Sequence, residues 1–176
     1  MACVPELVRL AGSLICAGFP GSDVDDAVLA EIEALGPGGL LLFARNVSDV
    51  ERTRTLVSAV VAAAGGEIPA LVCVDQEGGR VARLRFGGEL PSQLTLGAAN
   101  EVVLAERAGA RLADELRAVG ATVDFAPVLD LALAPQGTVV GTRSLGDFPA
   151  RVARRGAAVV GGRQTAGVAA TVKHFP

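Results

Sequence analysis

The side chains best suited to chemistry fall directly after apolar runs. Asp75 and Glu77 follow the run 69–74. Asp124 and Asp130 flank the end of a run at 121–125, and Arg143 lies in the loop beyond it. Lys173 and His174 close the run 168–172. Carboxylates accept hydrogen bonds from vicinal hydroxyls, and Arg and Lys donate to ring substituents. The set therefore suits a polyhydroxylated ligand. Glycoside hydrolysis would also need two groups flanking the bond, about 5–5.5 Å apart for retention or about 6.5–9.5 Å apart for inversion. Periodicity identifies no such pair.

Each residue also has a plainer reading. Asp75 could cap the Gly78-Gly79 turn. Asp124 reads best as a structural acceptor for backbone N–H groups. Arg143 could pair with a nearby acid. His174 is the only histidine, and a lone histidine is usually structural; its position beside the only lysine, Lys173, at a strand end strengthens the case for function. Other chemistries lack their motifs. The single Lys is not in a G-x-x-x-x-G-K-[ST] loop, and no dinucleotide fingerprint follows the first strand. One His without a close Cys pair makes no zinc site, and no G-x-S-x-G elbow is present. No cofactor and no metal are expected.

The elements that must position these groups alternate apolar runs with amphipathic stretches. Strands are expected at 13–17, 39–43, 69–74, 121–125 and 168–172. Ser22-Asp23 and Ser48-Asp49-Val50-Glu51 read as helix N-termini, the second as a capping box. The first helix buries Val28, Leu29, Ile32 and Leu35. The second runs to about Ala64 with Leu56, Val57, Val60 and Val61 inward, and stops at Gly65-Gly66. A loop of about twenty residues follows Arg80 and leads to a helix at 101–119 facing inward with Leu104, Ala108, Leu112 and Leu116. A last helix opens at Pro149, since Pro is tolerated in a first turn. Strands that are apolar throughout indicate a parallel sheet covered on both faces. Right-handed crossovers place all their C-terminal ends on one rim. The fold class is α/β: an open doubly wound sheet, or an incomplete (β/α)8 TIM-type barrel with about five parallel strands and intervening helices.

Composition bounds the rest. The 176 residues suit one domain, are 51% hydrophobic and 3% aromatic, and include no Trp or Tyr. A net charge of −3 without a basic block, and the lack of stacking residues, exclude a nucleic-acid partner. The Arg residues on helical segments read as solvated faces. Three cysteines, Cys3, Cys16 and Cys73, make no disulfide framework. Cys16 and Cys73 sit in apolar runs as small hydrophobes. A reducing, cytoplasmic location is expected. Residues 10–17 fit neither a secretory nor a lipoprotein signal. No run reaches the ~18 apolar residues of a membrane span, so no membrane partner is expected.

The segment Asp75-Gln76-Glu77-Gly78-Gly79-Arg80-Val81-Ala82-Arg83-Leu84 resembles a motif of family 3 glycoside hydrolases, in their bacterial β-N-acetylglucosaminidase branch. Residues 39–46 (Gly-Leu-Leu-Leu-Phe-Ala-Arg-Asn) resemble that branch's second strand. Residues 123–130, Gly141-Thr142-Arg143-Ser144 and Lys173-His174-Phe175-Pro176 match in the same order. The resemblance covers essentially the whole chain and implies a (β/α)8-type barrel. It also implies removal of terminal β-linked N-acetylglucosamine in peptidoglycan recycling, by a retaining mechanism through a glycosyl-enzyme. Carried over residue by residue, Asp75, Arg83, Arg143, Lys173 and His174 are implied to bind the sugar, with Asp75 on the distal hydroxyls. In the family a Gly-His-Gly loop carrying an Asp–His acid/base dyad follows, and the nucleophilic Asp comes later still.

Residues 1–176 are therefore expected to be the N-terminal part of the family's barrel, cut at the C-terminus. The catalytic residues are expected beyond Pro176, and the chain alone is expected to be inactive. Asp124 and Asp130 occupy positions of the family's structural motif and are not expected to replace them. The alternatives are a non-catalytic sugar-binding half-barrel, or one half of a split enzyme completed by a second polypeptide. Five strands cut from a barrel would leave an open sheet edge that invites self-association.

Overall fold

The computed structural model describes residues 4–133 and 139–175. Cys3, Pro176 and the Gly/Pro part of the loop before Gly141 lie outside the described residues. Five parallel strands form one sheet: β1 (Cys16–Gly18), β2 (Gly39–Leu42), β3 (Leu71–Val74), β6 (Val123–Asp124) and β7 (Ala169–Ala170). Between β3 and β6 lies an antiparallel hairpin of β4 (Gln76–Gly78) and β5 (Val81–Ala82).

The spatial order of the sheet is β1-β2-β3-β6-β7, so successive strands of the sheet are always neighbours. A doubly wound sheet reverses direction at a switch point; this one does not. Of the two architectures open to the sequence, the barrel winding is the one observed. All four pairings are parallel, with Gly39 opposite Cys16, Leu41 opposite Cys73 and Val74 opposite Asp124.

The helices α2 (Asp26–Leu35), α3 (Val50–Ala64), α5 (Val102–Ala118) and α6 (Pro149–Thr165) follow the strands, and α1 (Val4–Gly12) precedes them. Leu40, Leu42, Val72 and Val74 lie at 0–2% exposure and share one core with Ile32, Leu56, Val57, Val60, Ala113 and Leu116. Burying each such side chain is worth about 1.5–3 kcal/mol, so the helices are held to the sheet by this layer. Helices α5 and α6 approach closely because Gly109 and Gly162 face each other's backbone. A Cβ on Gly162 would lie 2.0 Å from Glu106 O, and one on Gly109 would lie 2.4 Å from Val159 O.

Several local expectations are corrected. The first strand starts at Cys16, because residues 4–12 are helical and Ser13 and Leu14 lie in the turn. The N-cap of α2 is Asp25, not Ser22: its carboxylate accepts from Val28 N at 3.0 Å. At α3 the cap is Asp49, accepting from Arg52 N at 2.8 Å, while Ser48 N donates to Thr53 Oγ1. The long loop contains the β4–β5 hairpin and a further helix α4 (Gln93–Ala99), capped by Ser92. Leu104 is 42% exposed, and Ala105 takes its place on the inward face of α5 beside the expected Ala108, Leu112 and Leu116. Cys16 is exposed at the sheet edge, and Cys73 is buried. Arg155 and Arg163 on α6 are buried, against the expectation of a solvated face.

Candidate functional site

The rim is built around the turn after β3. Gly78 and Gly79 have φ of 91° and 57°, a left-handed region that favours glycine. A Cβ on Gly78 would come 2.7 Å from Pro91 O. The turn is thereby folded back under the segment leading into α4. Gln76 pins it from below. Its Oε1 accepts from Arg83 N at 2.8 Å and Leu84 N at 3.0 Å, and its Nε2 donates to Leu84 O and to the buried Glu115.

Beneath the turn sits a closed ion pair. Arg163 Nε is 2.6 Å from Asp124 Oδ2, with both side chains at most 1% exposed. Asp124 Oδ1 also accepts from Gln76 N at 2.9 Å, and Arg163 Nη2 donates to Gln76 O at 3.0 Å. Burial pushes the Asp124 carboxyl up from its ordinary value, against the pull of Arg163. Asp124 is thus the backbone acceptor that its sequence context suggests, with a guanidinium partner that the sequence does not reveal.

Above it lies a second network that reaches the surface. Lys173 is delivered by an extension of the β6–β7 ladder: Lys173 N donates to Pro127 O at 3.1 Å, and Leu129 N donates to Lys173 O at 2.7 Å. Its Nζ lies 2.6 Å from Asp75 Oδ1 and 2.8 Å from Glu77 Oε1. Arg143 is carried by a short 3-10 turn. Gln93 Nε2 donates to its carbonyl at 2.8 Å, and Leu145 packs beside Leu96, Ala108 and Val152. Its guanidinium holds Glu77 in a fork, Nε to Oε2 at 2.8 Å and Nη2 to Oε1 at 2.7 Å. Arg143 Nη2 is 3.4 Å from His174 Nε2. His174 in turn lies 2.6 Å through Nδ1 from Asp130 Oδ2.

Four of the five sequence-derived residues, Asp75, Arg143, Lys173 and His174, therefore share one chain of contacts. Arg83 reaches the site through its backbone bond to Gln76, and no ion pair joins it to the others among the described residues. Its Nε is buried without a protein partner there, a donor aimed at nothing in the described fold. Glu77 is the hub that sequence reasoning left out of the site. Its side chain is 1% exposed, and burial alone would raise its carboxyl. The bonds from Arg143 and Lys173 outweigh that and hold it below the ordinary value. The same contact holds the Arg143 proton more tightly than usual, against burial. The position of Glu77 two residues after Asp75 puts it on the rim, but only the fold shows which cations it gathers.

Residues 11–176 match the glycosyl hydrolase family 3 N-terminal domain. The chain belongs to glycoside hydrolase family 3. It is 41% identical over 145 residues to a beta-hexosaminidase of Stenotrophomonas maltophilia, a match covering 78% of this chain and 42% of that protein. A family 3 beta-N-acetylglucosaminidase from Paenibacillus sp. superposes with a TM-score of 0.91 at 40% identity, covering 97% of this chain and 33% of that one. NagZ from Neisseria gonorrhoeae, solved with N-trifluoroacetyl-D-glucosamine, gives a TM-score of 0.80 at 31% identity over 92% of this chain and 50% of its own. The chain thus spans about two fifths of the length of that curated relative. These likenesses bear out the family and barrel class expected from the motifs. No helix among the described residues is long and apolar enough to cross a membrane.

Proposed function

We propose that this chain is the sugar-holding part of a β-N-acetylglucosaminidase. It grips a terminal β-linked N-acetylglucosamine during peptidoglycan recycling in the cytoplasm. The observation that carries this reading is the joined rim network: Lys173 bridges Asp75 and Glu77, and Arg143 bridges Glu77 and His174. Asp75 takes the distal hydroxyls. Arg83, Arg143, Lys173 and His174 supply the remaining contacts to the ring.

The same network argues that these groups bind rather than turn over. A general acid needs a carboxyl held above its ordinary value. Glu77 and Asp130 are both held below theirs: burial pushes each up, but hydrogen bonds from cationic or N–H partners outweigh it. We therefore assign the general-acid role, and by the family resemblance the nucleophile role, to the later family segments. The non-catalytic sugar-binding reading rests on this same observation.

Calorimetric titration with N-acetylglucosamine tests binding. Saturable uptake by the 176-residue chain, lost in Asp75→Ala, is expected. Uptake unchanged by that substitution would sink the assignment. Turnover of an aryl β-N-acetylglucosaminide by the same chain would overturn the binding-only part. Association is also expected, because β1 and β7 are sheet edges, and Leu14 just before β1 and Val172 just after β7 are 89% and 52% exposed. A stable monomer by light scattering would contradict it.

A further inference from the structure

We propose that Asp130 is a positioning residue that locks His174 in its Nδ1–H tautomer, so that Nε2 faces the rim as a hydrogen-bond acceptor for a ligand hydroxyl. The inference deepens the sugar-binding reading and rests on it for the identity of the ligand, but the tautomer itself does not depend on any ligand.

The two sides of the imidazole agree. On one side, Asp130 Oδ2 lies 2.6 Å from Nδ1. A carboxylate is acceptor-only when ionised, and burial, which would raise the Asp130 carboxyl, is outweighed by the His174 contacts and the nearby Arg143. Nδ1 must therefore carry the proton. Asp130 Oδ1 also accepts from His174 N at 3.2 Å, so both oxygens hold one residue and set the plane of the ring. On the other side, Nε2 is 3.4 Å from Arg143 Nη2. A guanidinium can only donate, so Nε2 must offer its lone pair. An Nε2–H would put two donors face to face.

The contact to Arg143 is longer than a good hydrogen bond, because that guanidinium is already committed to Glu77 through two bonds. The lone pair is accordingly under-used within the protein, and the His174 side chain is 51% exposed. A ligand hydroxyl can donate to it. An anionic ligand group cannot, since it would meet lone pair against lone pair. Asp130 thereby makes this corner of the rim selective for hydroxyl donors, while Arg143, Lys173 and Arg83 remain the donors to acceptor groups. The charged groups facing the imidazole are Asp130 and Arg143, with Glu77 behind Arg143.

His174 is the only histidine of the chain, so its ring nitrogens can be read directly by ¹⁵N NMR. At pH 9, well above the ordinary imidazole value of about 6.5, the wild-type chain is expected to show a pyrrole-type Nδ1 and a pyridine-type Nε2. Asp130→Asn offers an amide N–H that can donate to Nδ1, and the pattern should invert. Asp130→Glu, which restores a carboxylate, should return it. An Nε2–H tautomer in the wild type would overturn the proposal even if Asp130→Asn fails to fold, and so would an unchanged pattern in a folded Asp130→Asn. A wild-type chain that shows the Nδ1–H tautomer but binds no N-acetylglucosamine would instead count against the ligand assignment alone.

Discussion

Two carboxylate–guanidinium pairs lie one above the other beneath the strand ends, and they differ in where their contacts stop. Asp124 and Arg163 are at most 1% exposed, and their side chains bond to each other and to the backbone of Gln76. Glu77 is equally buried, but its partners Arg143 and Lys173 are 13% and 15% exposed and pass the network on to Asp75 and His174. The first pair closes on the fold and holds the Asp75–Gly79 turn in place. The second opens on the rim and carries charge out to partly exposed groups. Burial alone therefore does not distinguish the two pairs; the continuation toward solvent does.

The largest expected break in this contrast comes from the closed pair. Arg163→Met strands the Asp124 charge and should cost about 3–5 kcal/mol of stability, read as a lower midpoint in urea unfolding. A loss below 1 kcal/mol would mean that Asp124 has another route to water.

Glu77→Gln should divide its effect. Leaving Arg143 and Lys173 without their shared anion is expected to cost about 1–3 kcal/mol of stability. It should also weaken N-acetylglucosamine binding at least about tenfold, which is about 1.4 kcal/mol. If stability falls and affinity does not, Glu77 belongs with Asp124 as scaffold.

Asp75→Ala should do the reverse. Its side chain is 21% exposed, so stability should change by no more than about 1 kcal/mol, while sugar affinity is lost. Unfolding curves and calorimetry on the same sample separate the two.

Acid sharpens the contrast with the smallest effect. The Glu77 carboxyl is held below its ordinary value in the fold, where bonds from Arg143 and Lys173 overcome burial. A lowered carboxyl stabilises the fold fully above the unfolded value, and this contribution is lost as pH falls through the folded one. Stability should thus be flat from pH 7 to about 5 on this account and decline below about pH 4, and Glu77→Gln should flatten that decline. An equally steep decline in the variant would place the acid-sensitive group elsewhere.

Much of this was legible beforehand, and the exceptions share a cause. The apolar runs before Asp75 and Lys173 marked strand ends, because strands buried on both faces leave their polar residues at the rim. The family motifs supplied the register of Asp75, Arg143, Lys173 and His174. Arg163 was not legible: it sits on a helix rich in Arg, and its partner Asp124 lies 39 residues away. The hub role of Glu77 depends on Arg143, 66 positions distant, and on the still more distant Lys173, beyond any local pattern. The caps were displaced from the expected Ser22 and Ser48 because a later carboxylate, Asp25 three residues on and Asp49 one residue on, took the first-turn N–H instead. The α4 helix is only seven residues long, too short for periodicity to announce.

We propose that the open network holds N-acetylglucosamine and the closed one does not touch it. Titrating the sugar while following the ring signals of His174, the chain's only histidine, tests this most directly. The expected result is a saturable shift in the wild type that disappears in Asp75→Ala. No shift in the wild type, or an equal shift in Asp75→Ala, would contradict the account.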